Sequence, residues 1–241
     1  FLKIFFFKII EKVLSFKTSI FITINNHDLN YAKSNFLSKS SCYKVNGIGL
    51  NYSPLHFKKK IIYKNEIKKI VVISAYKKNK GYLEILKVAE ILKNKKIKIE
   101  CYGYGDLNIF NSLSIKKKLS NITFNDFDIN LRKKIKDYDI LLHLSKREGL
   151  PVAVMQCLAE GLPVICYNIR GNNDLIKDKI NGFFVDSYQD IPNIISYLNL
   201  ELNYFNELRI NALNSINENF FEENINLSIF NIINKHYKYY L

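Results

Sequence analysis

Apolar residues in this chain occur in two patterns, short unbroken runs and longer stretches where they recur every three or four positions. An unbroken run bounded by polar residues fits a strand buried on both faces, whereas helical spacing fits a helix lying on a core. Residues 70–74 (IVVIS), 97–102 (IKIECY), 121–124 (NITF), 139–144 (DILLHL) and 162–167 (LPVICY) predict strands of the first kind. Among them, residues 82–92, 130–136 and 151–160 predict helices, the loop NIRGNND starts another short one, and the turn NGF at 181–183 leads into a further strand. From residue 191 onward the pattern is helical. Strands alternating with helices in this way predict an α/β fold with a parallel sheet and flanking helices.

Ahead of this series, residues 1–17 predict an amphipathic helix, 19–25 (SIFITIN) a short strand, 26–38 a helix, and 43–50 (YKVNGIGL) a strand ending in a glycine-rich turn. The first helix is expected to face a core, with a helix lying in a lipid interface as the other reading of the same pattern. Residues 51–60 (NYSPLHFKKK) hold one of only four prolines and a basic run, which suits an interdomain linker.

Candidate chemistry concentrates where strand 139–144 gives way to helix 151–160. The loop between them, SKREG, lies at a strand's carboxyl end, Pro151 suits the first helical turn, and Gly161 is placed to end the helix. In open α/β sheets ligands bind at that edge, and a helix N-terminus there offers free N–H groups and partial positive charge to an anion. Glu148, Gly149 and Leu150 therefore sit where a phosphorylated ligand would bind. Gln156 falls one turn beyond Val152, and because helical side chains lean toward the N-terminus it can reach back toward Glu148. The loop after strand 70–74, AYKKNKG, sits at another carboxyl end and carries Lys77, Lys78 and Lys80. Gly103 and Gly105 follow strand 97–102 and suit a turn passing close to a nucleotide, but Asn108 stands where a dinucleotide fingerprint needs its third glycine, which argues against NAD. His143 has apolar neighbours and reads as a satisfied core histidine, and Arg170 has no obvious partner.

Composition narrows the partners. The 241 residues, 48% hydrophobic, suffice for one good-sized core, or one domain and part of another. A net charge of +14 raises nucleic acid as a partner, yet the lysines are spread along the chain instead of forming a stripe. No nucleic acid is expected; anionic small molecules, or a weak pull toward anionic lipid heads, fit better. Cys42, Cys101, Cys157 and Cys166 lie in apolar contexts without a CxxC pair and read as reduced core residues of a cytoplasmic protein. No Cys and His spacing suggests a metal site, and no run approaches the ~18 apolar residues of a membrane span. The opening FLKIFFFKII is interrupted by Lys3 and Lys8 and lacks a cleavage site, so it does not read as a signal peptide; starting with Phe, the chain is expected to be truncated.

The run EGLPVAVMQCLAEGLPVI at 148–165, followed by GNNDLI, resembles the nucleotide-sugar half of retaining GT-B glycosyltransferases of family 4. The resemblance implies a Rossmann-like donor domain at 58–200, the end of an acceptor-side Rossmann-like domain with its linker at 1–57, and helices at 201–241 that pack back toward the first domain. It also implies transfer of a sugar from a nucleotide-diphosphate donor to an acceptor hydroxyl with retention, without metal or other cofactor. By the same resemblance Glu148 holds donor-sugar hydroxyls, and Lys80 grips the diphosphate. Ser145, Gly149, Leu150, Pro151, Gly103 and Gly105 line the donor, and Gln156 takes the ribose diol where members usually carry Glu. Ser74 and Ala75 replace the family's Gly and its Arg or Glu, and Lys77 and Lys78 read as solvated surface lysines, with a substitute cation as the other reading. The loop 126–128 resembles the nucleobase-side loop, with Phe127 where a glycine is common, and His27 stands near an acidic position of relatives and reads as a surface residue. The implied partners are a nucleotide sugar, a glycan or lipid-linked acceptor of cell-envelope polysaccharide synthesis, a peripheral contact with the inner face of the membrane, and a polypeptide supplying the missing N-terminal domain. A non-catalytic binding subunit and a nucleotide-sugar epimerase are the other readings.

Overall fold

The computed structural model describes residues 2–36, 41–51 and 63–237, with side chains from Phe6 to His236. It divides into two compact units, Phe1–Pro54 with Glu218–Leu241, and Leu55–Asn217. The linker expected at 51–60 lies, apart from Asn51, outside the described residues.

The first unit carries α1 (Leu2–Ser15), β1 (Phe21–Thr23), α2 (Asn26–Asn35), β2 (Cys42–Lys44) and a final helix, Glu222–Tyr237. β1 and β2 pair in parallel. The Asn25 side chain caps α2 by accepting from the Asp28 amide at 2.8 Å, satisfying one of the helix's unbonded N–H groups. β2 stops well short of the strand expected at 43–50, because the chain turns at Gly47 and Gly49, both at positive φ. The expectation for α1 is also corrected. Phe6, Phe7, Ile9, Ile10, Val13 and Leu14 are exposed, whereas Ser15 on the opposite arc is buried and Lys8 lies over the Tyr31 ring at 5.5 Å. Periodicity shows which side chains share a face and leaves open which face is covered. Here the polar arc is the one set against α2.

The second unit is built on one parallel sheet of six strands: β3 (Lys69–Ile73), β4 (Lys98–Gly103), β5 (Ile122–Asp126), β6 (Ile140–His143), β7 (Val164–Tyr167) and β8 (Gly182–Val185). Their spatial order is β5-β4-β3-β6-β7-β8. The chain builds outward from β3 in one direction, returns to place β6 on the other side of β3, and continues through β7 and β8. Buried apolar side chains line both faces, with β6 wholly buried, which is why its run reads without alternation.

The connecting helices are α3 (Tyr82–Leu92), α4 (Asn108–Lys116), α5 (Leu131–Lys134), α6 (Val152–Ala159), α7 (Asn172–Leu175), α8 (Ile191–Leu200) and α9 (Leu202–Ser215). α3 buries Tyr82, Ile85, Leu86, Ala89 and Leu92, one face at helical spacing, and packs beside α4 and α8. α6 packs against α7 and α9. α4 has no counterpart in the hydrophobic pattern; it buries only Phe110 and Ser114, too few to make a stripe.

At the amino ends of β3 and β6, buried Asp139 accepts from the Lys68 and Lys69 amides, each at 2.8 Å, and pairs with Lys64 Nζ at 3.1 Å. Arg209 of α9, itself buried, reaches the Asp139 carbonyl from Nη1 at 3.4 Å. This polar knot locks the two central strands opposite the edge that carries the candidate site.

Candidate functional site

A sheet whose strand order reverses between β3 and β6 leaves a crevice at their carboxyl ends, where the two outgoing loops part. Lys80 leaves one side of that crevice and Glu148 the other. A single 3₁₀ turn, Lys78–Lys80, carries Lys80 directly into α3. Gly81 then sits at φ +80, where a Cβ would fall 2.2 Å from the Leu144 carbonyl oxygen. Only glycine lets the start of α3 press against the end of β6 this closely. The Lys146 amide bonds the Asn79 carbonyl at 2.9 Å and Lys146 pairs with Glu84 at 2.6 Å, which ties the loops together on the far side.

This approach brings Lys80 Nζ to 2.6 Å from Glu148 Oε1. The same oxygen lies 3.2 Å from His143 Nε2. Glu148 and Lys80 keep 13% and 20% of their side-chain surface, while His143 keeps 3%. The His143 contact is within ion-pair reach, but its direction is too oblique for a good hydrogen bond, and Nε2 has no other partner among the described residues. Burial by itself would raise the Glu148 pKa, yet His143, Lys80 and Ser145 together outweigh burial and hold the carboxyl down to about 2.

The loop after β7 closes the back of the site. Arg170 Nε donates to the Glu148 carbonyl at 3.0 Å, so the expectation that Arg170 lacks a partner is corrected. Next to it Gly171, at φ +83, leaves room for the Gly149 carbonyl, which a Cβ would meet at 2.2 Å. Ser145 is buried and its hydroxyl also reaches the Arg147 carbonyl at 3.2 Å. Leu150 and Pro151 are buried at the head of α6. Pro151 is the N-cap and not a residue of the first turn, in extended geometry at φ −75 and ψ 115, and its carbonyl accepts the Met155 amide at 3.2 Å. Gln156 is half-buried on α6. Gly103 ends β4 against the Ser74 carbonyl, and Gly105 follows at φ +112. Beside them the exposed rings of Tyr104 and Phe127 stack with centroids 4.1 Å apart. Lys77 and Lys78 are exposed. Among the described residues no group of three or more His, Cys, Asp and Glu is placed to hold a metal ion.

His143 is the residue that sequence reasoning passed over. It is buried, as expected, but its Nε2 meets Glu148 only in a poorly aligned contact at 3.2 Å. The available signal was its place as the last residue of β6, one loop away from Glu148 at the carboxyl edge.

Two consequences are measurable. Gly81→Ala puts a side chain at positive φ and against a backbone oxygen, so urea unfolding should show a loss of at least about 2 kcal/mol with an unchanged m-value. For Glu148 the folded-state pKa lies below its ordinary value of 4.5, so its ionised form adds stability above that value, and this stability is lost as pH falls toward 2. The shift corresponds to ~3 kcal/mol at most. Unfolding free energies measured at pH 5 and pH 3 should therefore diverge more for the unsubstituted chain than for Glu148→Gln.

A doubly wound parallel sheet with a lysine–carboxylate pair at its switch point, beside a helix N-terminus, defines an α/β protein with a crevice suited to an anionic ligand. Residues 55–211 match the family model for glycosyl transferases group 1, and the chain belongs to that family. It is similar to EpsD of Bacillus subtilis (strain 168), 28% identical over 189 residues, covering 73% of this chain and 50% of EpsD. It is also similar to the UDP-Gal:alpha-D-GlcNAc-diphosphoundecaprenol alpha-1,3-galactosyltransferase of Escherichia coli, 32% identical over 91 residues, 38% of this chain and 22% of that enzyme. Among solved structures, a glycosyltransferase from Rickettsia africae superposes with a TM-score of 0.79 at 18% identity, over 96% of this chain and 67% of that one. A point mutant of S. aureus TarM, solved in complex with UDP among other ligands, gives 0.78 at 19% identity, over 91% and 45%. The chain thus spans half or less of the curated relatives it matches. No described helix is long and apolar enough to cross a membrane.

Proposed function

We propose that this chain supplies the donor side of a retaining glycosyltransferase, which transfers a sugar from a nucleotide-diphosphate donor to an acceptor hydroxyl. The observation that carries the reading is the 2.6 Å Lys80–Glu148 pair at the switch point, beside the head of α6. The demanding moment in such a transfer is departure of the diphosphate, whose growing charge needs preorganised cations and N–H donors. Lys80 and the backbone amides of Gly149 and Leu150 are assigned to that charge. Glu148, held ionised, takes the sugar hydroxyls and supports positive charge developing on the ring. Gln156 takes the ribose diol, and the exposed Tyr104–Phe127 pair offers the base a stacking surface. No metal is assigned a role.

The acceptor is proposed to be a glycan or a lipid-linked saccharide of the cell envelope, met at the cytoplasmic face of the membrane. The Escherichia coli relative, named for a diphosphoundecaprenol acceptor, supports this choice. Acceptor-side groups are assigned to polypeptide beyond the matched region, a choice supported by the chain's spanning half or less of the curated relatives it matches.

A second reading is a donor-binding subunit without turnover. Ala75 and Gln156 favour it, since both stand where the resemblance implies charge. Isothermal titration with UDP and with other nucleoside diphosphates, together with transfer from radiolabelled nucleotide sugars, decides between them. Binding with transfer near 1–1000 per second supports the enzyme. Binding without transfer supports the subunit, and binding unchanged by Lys80→Ala and Glu148→Ala removes the donor-site assignment altogether.

A further inference from the structure

The oxygen that Lys80 holds has a second suitor that cannot move away. Lys80 ends a flexible stem and keeps a fifth of its surface, so its ammonium can turn from Glu148 toward an arriving anion. His143 is fixed in β6 between Leu142 and Leu144, paired across to Cys166 of β7, and almost fully buried. Its Nε2 lies 3.2 Å from Glu148 Oε1 in an oblique contact without a well-aligned bond, and Lys80 holds the same oxygen at 2.6 Å. A buried polar atom left in this state is costly, and folded proteins keep few of them. An arrangement in which the imidazole N–H does align with the carboxylate gives this atom a use.

We propose that His143 is a positioning residue for Glu148, taking over its carboxylate when Lys80 leaves for the diphosphate of a bound donor. The proposal rests on the donor-site reading of the same crevice. A diphosphate carries more charge than one carboxylate and draws the mobile ammonium toward itself. Glu148 is then left in a largely enclosed site with His143 and the Ser145 hydroxyl, which the Arg147 carbonyl also claims. The 3.2 Å separation already lies in hydrogen-bond range, so a slight rotation of the released carboxylate suffices to align Oε1 with His143 Nε2–H. Glu148 thereby keeps one orientation before and after the donor arrives, as a group that must meet sugar hydroxyls requires.

The test is a double-mutant cycle on UDP affinity, measured by isothermal titration. His143→Leu removes the donor and should weaken UDP binding about tenfold, the size of one ordinary hydrogen bond. His143→Gln retains an N–H and should recover all but about two- to threefold of that loss. In a Lys80→Ala background His143→Leu should have almost no further effect, because no cation then leaves Glu148 on binding. Equal effects of His143→Leu with and without Lys80 indicate a merely structural histidine and overturn the inference, as does a His143→Gln chain that binds no better than His143→Leu. In either case a loss of affinity in Lys80→Ala alone leaves the donor site standing. UDP binding indifferent to Lys80 overturns both.

Discussion

Asp139→Ala is expected to lower the unfolding free energy of the second unit by about 3–5 kcal/mol, the cost of breaking a buried ion pair from one side. The carboxylate accepts two backbone amides at the start of β3 and pairs with Lys64. Removing it strands those donors and leaves the buried Arg209 guanidinium without its nearest anion; desolvation already lowers the Arg209 pKa. Against a typical total of about 5–15 kcal/mol, such a loss is a large fraction of the stability. Urea denaturation at neutral pH measures it. Asp139→Asn, which keeps an acceptor but no charge, should lose markedly less. Adding Arg209→Met to Asp139→Ala should return part of the loss, because an apolar side chain at that buried position leaves no charge uncompensated. Additive losses would show that Arg209 and Asp139 do not share one electrostatic site.

That knot also marks where sequence reading reaches its limit. The strand pattern was legible because β3, β6 and β7 are buried on both faces and their runs are therefore unbroken. α3 was legible to its observed bounds because its buried face repeats at helical spacing. α4 was not, since a helix that buries two side chains leaves no stripe. The site shows the same division. Lys80 and Glu148 follow strands, so their places at carboxyl ends single out the two loops, while the choice of Lys80 over Lys77 and Lys78 rests on the family resemblance. The partnership of His143, Arg170 and Gly171 with the Glu148 loop depends on sheet order and on backbones passing within contact of one another, which no local pattern encodes. α1 adds the converse case, with a clear apolar arc whose direction the pattern leaves undetermined.

Lys80→Ala is expected to weaken UDP binding by more than about thirtyfold, within the range of one charge-assisted contact at about 1.5–3 kcal/mol. Two effects act in the same direction. The diphosphate loses a cation, and Glu148, no longer neutralised at 2.6 Å, presents its charge to the incoming anion. The second effect separates from the first by adding Glu148→Gln, which removes the repulsion without restoring the cation. The double substitution should therefore bind UDP several-fold more tightly than Lys80→Ala alone. Lys80→Arg keeps the charge but replaces a compact ammonium with a planar fork, and in the narrow turn before Gly81 it should recover only part of the affinity. Affinity of the unsubstituted chain should also fall as salt rises from about 50 to about 500 mM, with Lys80→Ala less sensitive, because screening acts on the interaction that substitution has already removed. If the double substitution binds no better than Lys80→Ala, Glu148 does not face the diphosphate, and the ligand enters the crevice from another side.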